Sequence, residues 1–372
     1  MRILVINAGS SSVKLSVFDM PSGEQRFEHE MEKIASVEEA VAAIPALLRE
    51  KNAAQVDAVG HRVAHGGMKF RDAVTLNAEV MADIKDCVPL APLHNPPAIA
   101  GIAIAAETWP GVPQIAVFDT AFHQAMPARA TTYAVPERWR DAGVRRYGFH
   151  GTSHQYMMER VAAELAMPAS QFRLISCHLG NGASVCAINR GVSVDTSMGM
   201  TALEGLVMGT RSGDVDPGVF AYLNRTQALS PAEVEDALYH RSGLAALSGI
   251  GNDLRDIERR AAQKDARAEL AIDVYAYRAR KYIGAYAAAM GGVEALSFTA
   301  GIGENSALMR RRICEGLECL GIVLDHDANA AVKLEGFEAP QIQTADSRVK
   351  VLVTRTREQW MIARETHRLL SG

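Results

Sequence analysis

Two stretches of this chain follow one plan: an apolar strand, a turn of glycine and small polar residues, and a strand that returns. The first is ILVINAGSSSVKLSVF, Ile3 to Phe18. Its apolar run enters the turn Asn7 to Ser12. Val13, Leu15 and Val17 then alternate with Lys14 and Ser16, the period of two expected of a half-buried strand. The second is RLISCHLGNGASVCAI, Arg173 to Ile188, which returns through Val185 and Ala187, with a third short strand expected at Val192 to Val194. A chain of 372 residues exceeds what one core ordinarily serves. The repeated opening therefore predicts two α/β domains of duplicated plan, each a sheet covered by helices, with a boundary near Gly148 to Ser153.

Helices are expected between these landmarks. Val37 to Lys51 is Ala/Leu-rich and amphipathic, and Pro96 to Glu107 starts with prolines suited to a first helical turn. Ser230-Pro-Ala-Glu reads as an N-cap, a proline at N1 and an acid at N3. The longest helix is expected over Ala266 to Met290, with Tyr275, Tyr282, Tyr286 and Ala289 on one face as core or subunit contact. Gly291-Gly292 ends it, and Ala295 to Thr299 reads as a buried strand.

Composition narrows the class of function. A net charge of −4 gives no global field for nucleic acid or anionic membrane, so any anion site must be local. The five cysteines are odd in number and lack CxxC spacing, which argues against a disulfide framework or a zinc site. The N-terminus lacks the basic start and long apolar core of a signal peptide, and no stretch is apolar enough to span a bilayer; a cytoplasmic location is expected.

Several segments carry chemistry. The turns at Asn7 to Ser12 and His178 to Gly182 offer backbone N–H groups and hydroxyls in a concavity suited to phosphate oxygens, although no Walker GxxxxGK[ST] motif occurs. Arg62 in GHRVAHGG and Arg211 in MGTRSGDVDPG are set among small residues that can aim a guanidinium at an anion. His94, His123, His150 and His154, taken singly, read as hydrogen-bonded structural histidines without metal-ligand spacing. Asp119 ends the apolar run Ile115 to Phe118, at the strand end where α/β sites gather. LSFTAGIGENS, Leu296 to Ser306, is a strand leading to a glycine loop and a helix N-terminus. LSGIGNDLRDIE, Leu247 to Glu258, supplies Asp253 and Arg255 for a ribose and a base. Glu358, on its own residues, reads as an acid at a helix start.

Taken in order, these segments resemble the acetate kinase family, within the superfamily of sugar kinases, heat-shock ATPases and actin. INAGSSSVK, GHRVAHGG, LAPLHNPPAI, VFDTAFHQAMP, YGFHGTSH, ISCHLGNGASVCA, DTSMGMTALEGLVMGTRSGDVDPG, GIGNDLRDIE and FTAGIGENS carry the likeness nearly end to end. It implies two actin-like (ribonuclease H-like) domains with an active-site cleft between them. Residues 1–149 plus 356–372 would form the N-terminal domain, and 150–355 the nucleotide-binding and dimerisation domain.

The resemblance also implies roles. Asn7 and Glu358 would hold Mg²⁺, with Mn²⁺ as an alternative. ATP or ADP would be lined by Lys14, by His178, Leu179, Gly180, Asn181 and Gly182, by Asp253, Leu254 and Arg255, and by Gly301, Ile302, Gly303, Glu304 and Asn305. Arg62 would bind a short-chain carboxylate or acyl phosphate. Ala64, Leu93, Phe149 and Ala202 would wall the acyl pocket. Asp119, His150 and Arg211 would complete the catalytic set of a homodimeric, reversible acetate kinase, with neither nucleic acid nor membrane as partner. The chain departs from the family's usual pattern in being shorter, in carrying Gln359 after Glu358, and in having alanine at 64 and 202, where valine and proline are common. That makes a propionate (short-chain carboxylate) kinase with an enlarged pocket the neighbouring reading. A pyrophosphate-dependent enzyme and a non-catalytic actin-like protein are the remaining alternatives.

Overall fold

Both glycine-turn units form antiparallel meanders. A computed structural model describes residues 1–9, 12–32, 37–51, 53, 55–336 and 338–372; Ser10 and Ser11 of the first turn lie outside the described residues. The chain divides into unit 1, Met1–Gln124 with Phe149–Tyr156 and Arg357–Gly372, and unit 2, Ala125–Gly148 with Met157–Thr356.

In unit 1 the meander is β1 (Arg2–Ala8), β2 (Ser12–Asp19) and β3 (Glu24–Glu32). β4 (Ala58–Val63) and β6 (Gln114–Phe118) extend it in parallel from β1, and the short β5 (Val74–Thr75) closes the far edge, giving the order β3-β2-β1-β4-β6-β5. In unit 2 the meander is β7 (Arg173–Leu179), β8 (Ala183–Asn189) and β9 (Val192–Thr196), with β10 (Ala295–Thr299) and β11 (Lys350–Val353) added in parallel beside β7. Three antiparallel strands followed by parallel ones, counted outward from the first strand, is one plan used twice. Each meander even carries a register shift between its second and third strands, at Val17/Phe18 and at Ala187/Ile188.

Alternation along β1 and β2 sends Leu4, Ile6, Val13, Leu15 and Val17 to one face, where they pack with Val41, Ile44, Leu48 and Ala105 from the helices Val37–Ala42, Ile44–Glu50 and Asn95–Thr108. The opposite face, with Ile3, Val5, Ala58, Ile115 and Val117, receives Ile362 and Ala363 of the C-terminal helix Glu358–Ser371. Gly60 permits that docking, because a Cβ there would lie 2.4 Å from Thr366 Oγ1 and 2.9 Å from Ile362 Cγ2. In unit 2 the helix Ala266–Met290 buries Ala268, Ile272, Tyr275, Ala279, Ile283 and Tyr286 at helical spacing.

Two expectations change. Val37 to Lys51 is two helices rather than one, because Pro45 in the first turn of the second lacks an N–H and cannot continue the first. Ala289 lies exposed, beyond the edge of the buried stripe, and Tyr282 is half-buried. Among the described residues no helix is long and apolar enough to cross a membrane.

Candidate active site

The face of unit 1's sheet under the C-terminal helix is apolar until the strands end. Each of the parallel strands β1, β4 and β6 then places a polar residue on that face: Asn7 after Ile3 and Val5, Arg62 after Ala58 and Gly60, and Asp119 after Ile115 and Val117. The parallel register brings them side by side. Arg62 Nε donates to Asp119 Oδ1 at 3.1 Å and Oδ2 at 2.9 Å, and Nη1 donates to Asn7 Oδ1 at 3.2 Å. The Asp119 side chain is only 1% exposed and that of Arg62 20%. Burial works against the Arg62 charge, but the carboxylates of Asp119 and Glu358 outweigh it and raise its pKa above the ordinary range. Glu358 is present here because it opens the helix docked on the same face.

The neighbouring loops converge on this cluster. Gly151 N–H donates to the Asp119 carbonyl at 2.8 Å, which places His150 beside it in sequence with a left-handed φ of 57°. Such a backbone is costly for a non-glycine residue and persists only where its surroundings impose it. His123 is buried, and its Nε2 lies 3.0 Å from the Phe149 carbonyl, so Nε2 carries the proton. Burial pulls its pKa down to about 4 against that carbonyl's opposing effect. His154 stacks edge-on to His123 at 5.8 Å. Asn95 bridges the backbone of His65 in both directions, at 3.1 Å and 3.0 Å, and thereby holds the loop carrying Ala64. Phe149 meets the His65 ring edge-on at 5.5 Å. Thus Asn7, Arg62, Asp119, Glu358, Ala64, Phe149 and His150 gather in unit 1, whereas Leu93 is 41% exposed. Lys14 pairs with Glu30 of β3 at 2.8 Å. Among the described residues no three His, Cys, Asp or Glu side chains form a metal-binding group.

Unit 2 brings four sequence segments together. β7 and β10 are parallel neighbours with Thr299 opposite His178, so the turn after β7 and the loop after β10 emerge side by side. A Cβ on Gly180 would lie 3.5 Å from Ala300 Cβ and 4.0 Å from Gly301 N. Asn181 Oδ1 accepts from Asn252 Nδ2 at 2.8 Å, and the Asn181 carbonyl accepts from Gly209 N–H at 2.9 Å. A Cβ at 209 would sit 1.9 Å from Asn181 Oδ1, so a larger residue there would push the Asn181 side chain away. Asp253 caps the helix Leu254–Ala262 and pairs with Arg255, whose side chain is 89% exposed. Arg211 donates to the Ala202 carbonyl at 3.2 Å, and its guanidinium lies 5.9 Å from the Tyr239 ring centre.

The Gly301–Asn305 segment is helical (Ala300–Asn305) rather than an open loop, and Ala300 enters it at φ 65°. Glu304 turns its carboxylate onto backbone, accepting from Ala300 N–H at 2.9 Å and Thr356 N–H at 2.7 Å, and burial raises its pKa. Arg310, buried, donates at 2.9 Å to the carbonyls of both Gly303 and Glu304 and at 2.7 Å to Asn329 Oδ1. Asn252, Gly209, Asn95 and Arg310 were not singled out from sequence. Asn252 alone carried a signal there, as the neighbour of Asp253 at a helix start.

Two α/β units of one plan, one with a guanidinium–carboxylate cluster at strand ends and one with a glycine-lined cradle, have the architecture of a phosphotransferase. Comparison with known proteins gives the family. The model of the acetokinase family matches residues 23–364. The chain is 45% identical over 402 aligned residues to the acetate kinase of Heliobacterium modesticaldum, covering 100% of both, and 46% identical over 400 to that of Dictyoglomus thermophilum, covering 100% of this chain and 99% of the relative. Among solved structures, Porphyromonas gingivalis acetate kinase superposes with a TM-score of 0.92 at 41% identity, and a Francisella tularensis propionate kinase with 0.91 at 38%, each covering 99% of both chains. The chain belongs to the acetokinase family.

Proposed function

We propose that this chain is a cytoplasmic acetate kinase that moves a phosphoryl group reversibly between ATP and acetate with a divalent cation. The observation that carries the reading is Arg62: half-buried, held by Asp119, and anchored where three parallel strands end. A small carboxylate is already ionised at pH 7, since carboxyl groups titrate near 4. No base need remove a proton. Asp119, committed to Arg62, serves to orient that guanidinium and to balance its charge, leaving the remaining N–H donors of Arg62 for the acceptor carboxylate or acyl phosphate.

The barrier is repulsion between anions and the charge spread over the transferring group, so catalysis rests on positioning and on positive charge. Arg211 and His150 are proposed as the donors to that group. Asn181, Gly182 and Gly301 to Asn305 would bind the nucleotide, with Asp253 to Arg255 at its ribose and base. Asn7 and Glu358 offer oxygen donors, the hard set that suits Mg²⁺, or Mn²⁺, rather than zinc. When bound, the cation offsets phosphate charge. Asn7 and Glu358 would hold it.

A coupled assay with acetate, ATP and MgCl₂ tests the proposal. Activity should vanish without any one component and return when Mg²⁺ is restored after EDTA. Equal turnover with pyrophosphate, or full turnover in EDTA, would sink it. A second reading, preference for propionate, is supported by the small side chains at Ala64 and Ala202. We further propose a homodimer, as the resemblance implies.

A further inference from the structure

Two segments assigned above to the nucleotide are far apart in sequence: Asp253 to Arg255, opening the helix Leu254–Ala262, and Gly301 to Asn305. A side-chain hydrogen bond joins them. Ser306, directly after the second segment, donates its hydroxyl in a hydrogen bond to the Glu258 carboxylate, one turn into the first segment's helix. The same Ser306 oxygen accepts from Met309 N–H at 2.8 Å and caps the helix Ala307–Cys314. The hydroxyl therefore has a fixed direction. Ser306 is 7% exposed and Glu258 half-buried, so the bond is sheltered from competing water.

The loop is already stiff on its other sides, through Glu304 to Ala300 and Thr356 and through Arg310 to Gly303 and Glu304. A Cβ on Gly301 would meet nothing within 4 Å, so that face is open for a ligand to approach the backbone. A rigid loop with an open face still needs its distance from the helix Leu254–Ala262 set, and the Glu258–Ser306 bond spans that interval.

We infer that Glu258 is a positioning residue for the nucleotide: it touches no substrate but sets the separation of the two segments that grip it. This rests on the nucleotide reading above. A charge-assisted hydrogen bond in a sheltered place is among the stronger ones, and its loss loosens the cradle rather than the chemistry.

The experiment compares wild type, Glu258→Ala, Glu258→Gln and Ser306→Asp. ADP affinity is measured by calorimetry with MgCl₂, KM is measured separately for ATP and acetate, and melting temperature is recorded. Glu258→Ala should lower ADP affinity and raise the ATP KM by about tenfold, with kcat and the acetate KM within about twofold. Glu258→Gln, whose amide oxygen still accepts from Ser306, should recover most of the affinity. Ser306→Asp keeps the helix cap but sets two carboxylates against each other, and should reproduce the alanine defect. If Glu258→Ala melts earlier yet binds ADP as tightly as wild type, the residue is merely structural and the inference is overturned. If wild type itself binds no ADP, the nucleotide reading fails instead.

Discussion

Replacing Arg211, proposed as a donor to the transferring group, and Ala64, proposed as a wall of the acyl pocket, should separate chemistry from specificity. Arg211 is half-buried and donates to the Ala202 carbonyl, so its guanidinium is tied to the loop that the acyl-pocket assignment uses. If it stabilises charge only on the transferring group, Arg211→Ala should cut kcat by about 10²–10³ while leaving ADP affinity nearly intact. Wild-type turnover in that variant would remove Arg211 from the active site. Ala64 is buried at 5% exposure in a loop held by Asn95. A propionate methylene fitting beside it without strain would gain about 0.8 kcal/mol, whereas in a fuller pocket it would clash at about 1–3 kcal/mol. Ala64→Val should therefore penalise propionate more than acetate in kcat/KM. A wild-type preference for acetate of tenfold or more would show that neighbouring groups already fill the space.

At the scale of elements, unit 1 buries neutral histidines in the strand and loop that carry its charged cluster. His61 on β4 contacts Gln114 Oε1 at 2.6 Å, and burial lowers its pKa to about 4 against that bond; His123 is lowered likewise. Unfolded histidine titrates near 6.5, so between about pH 6.5 and 4 the unfolded chain binds the extra protons. Stability is then complete above pH 6.5 and is lost as pH falls toward 4, by up to about 1.4 kcal/mol per pH unit for each histidine. Urea unfolding followed from pH 7.5 to 4.5 should show this slope, and His61→Gln should reduce it to the share of His123. A flat profile in the wild type would mean that these rings accept protons while folded. The C-terminal helix belongs to the same scale of argument. Its place over Gly60 is what turns Glu358 from an ordinary first-turn acid into a neighbour of Arg62.

Over the whole molecule, one strand plan serves two ends. In unit 1 it presents ionised side chains from strand ends; in unit 2 it presents backbone from glycine turns at the corresponding ends. The division predicts where ADP acts when it binds alone. Hydrogen exchange should slow across 178–182, 208–211, 252–255 and 300–306, and much less across the Arg62–Asp119 strands. Protection concentrated instead in unit 1 would reverse the assignment of nucleotide to unit 2.

The sequence alone determined the duplicated α/β plan, the strand of Ala295–Thr299, the helix of Ala266–Met290 and the family. Each rests on local period, caps and glycine placement, or on runs of residues that match as written. It also marked Arg62, Asp119, Asn181 and Asp253 as unusual by their company. It did not show who partners whom. Arg62 and Asp119 are 57 residues apart, Asn181 and Asn252 71, and Glu258 and Ser306 48. Strand order and helix docking made those pairs, turned Glu304 inward onto backbone and paired Lys14 with Glu30. Alternation along a strand tells which face a side chain takes. Only the neighbouring strand, chosen by the packing of the whole sheet, decides what it meets there.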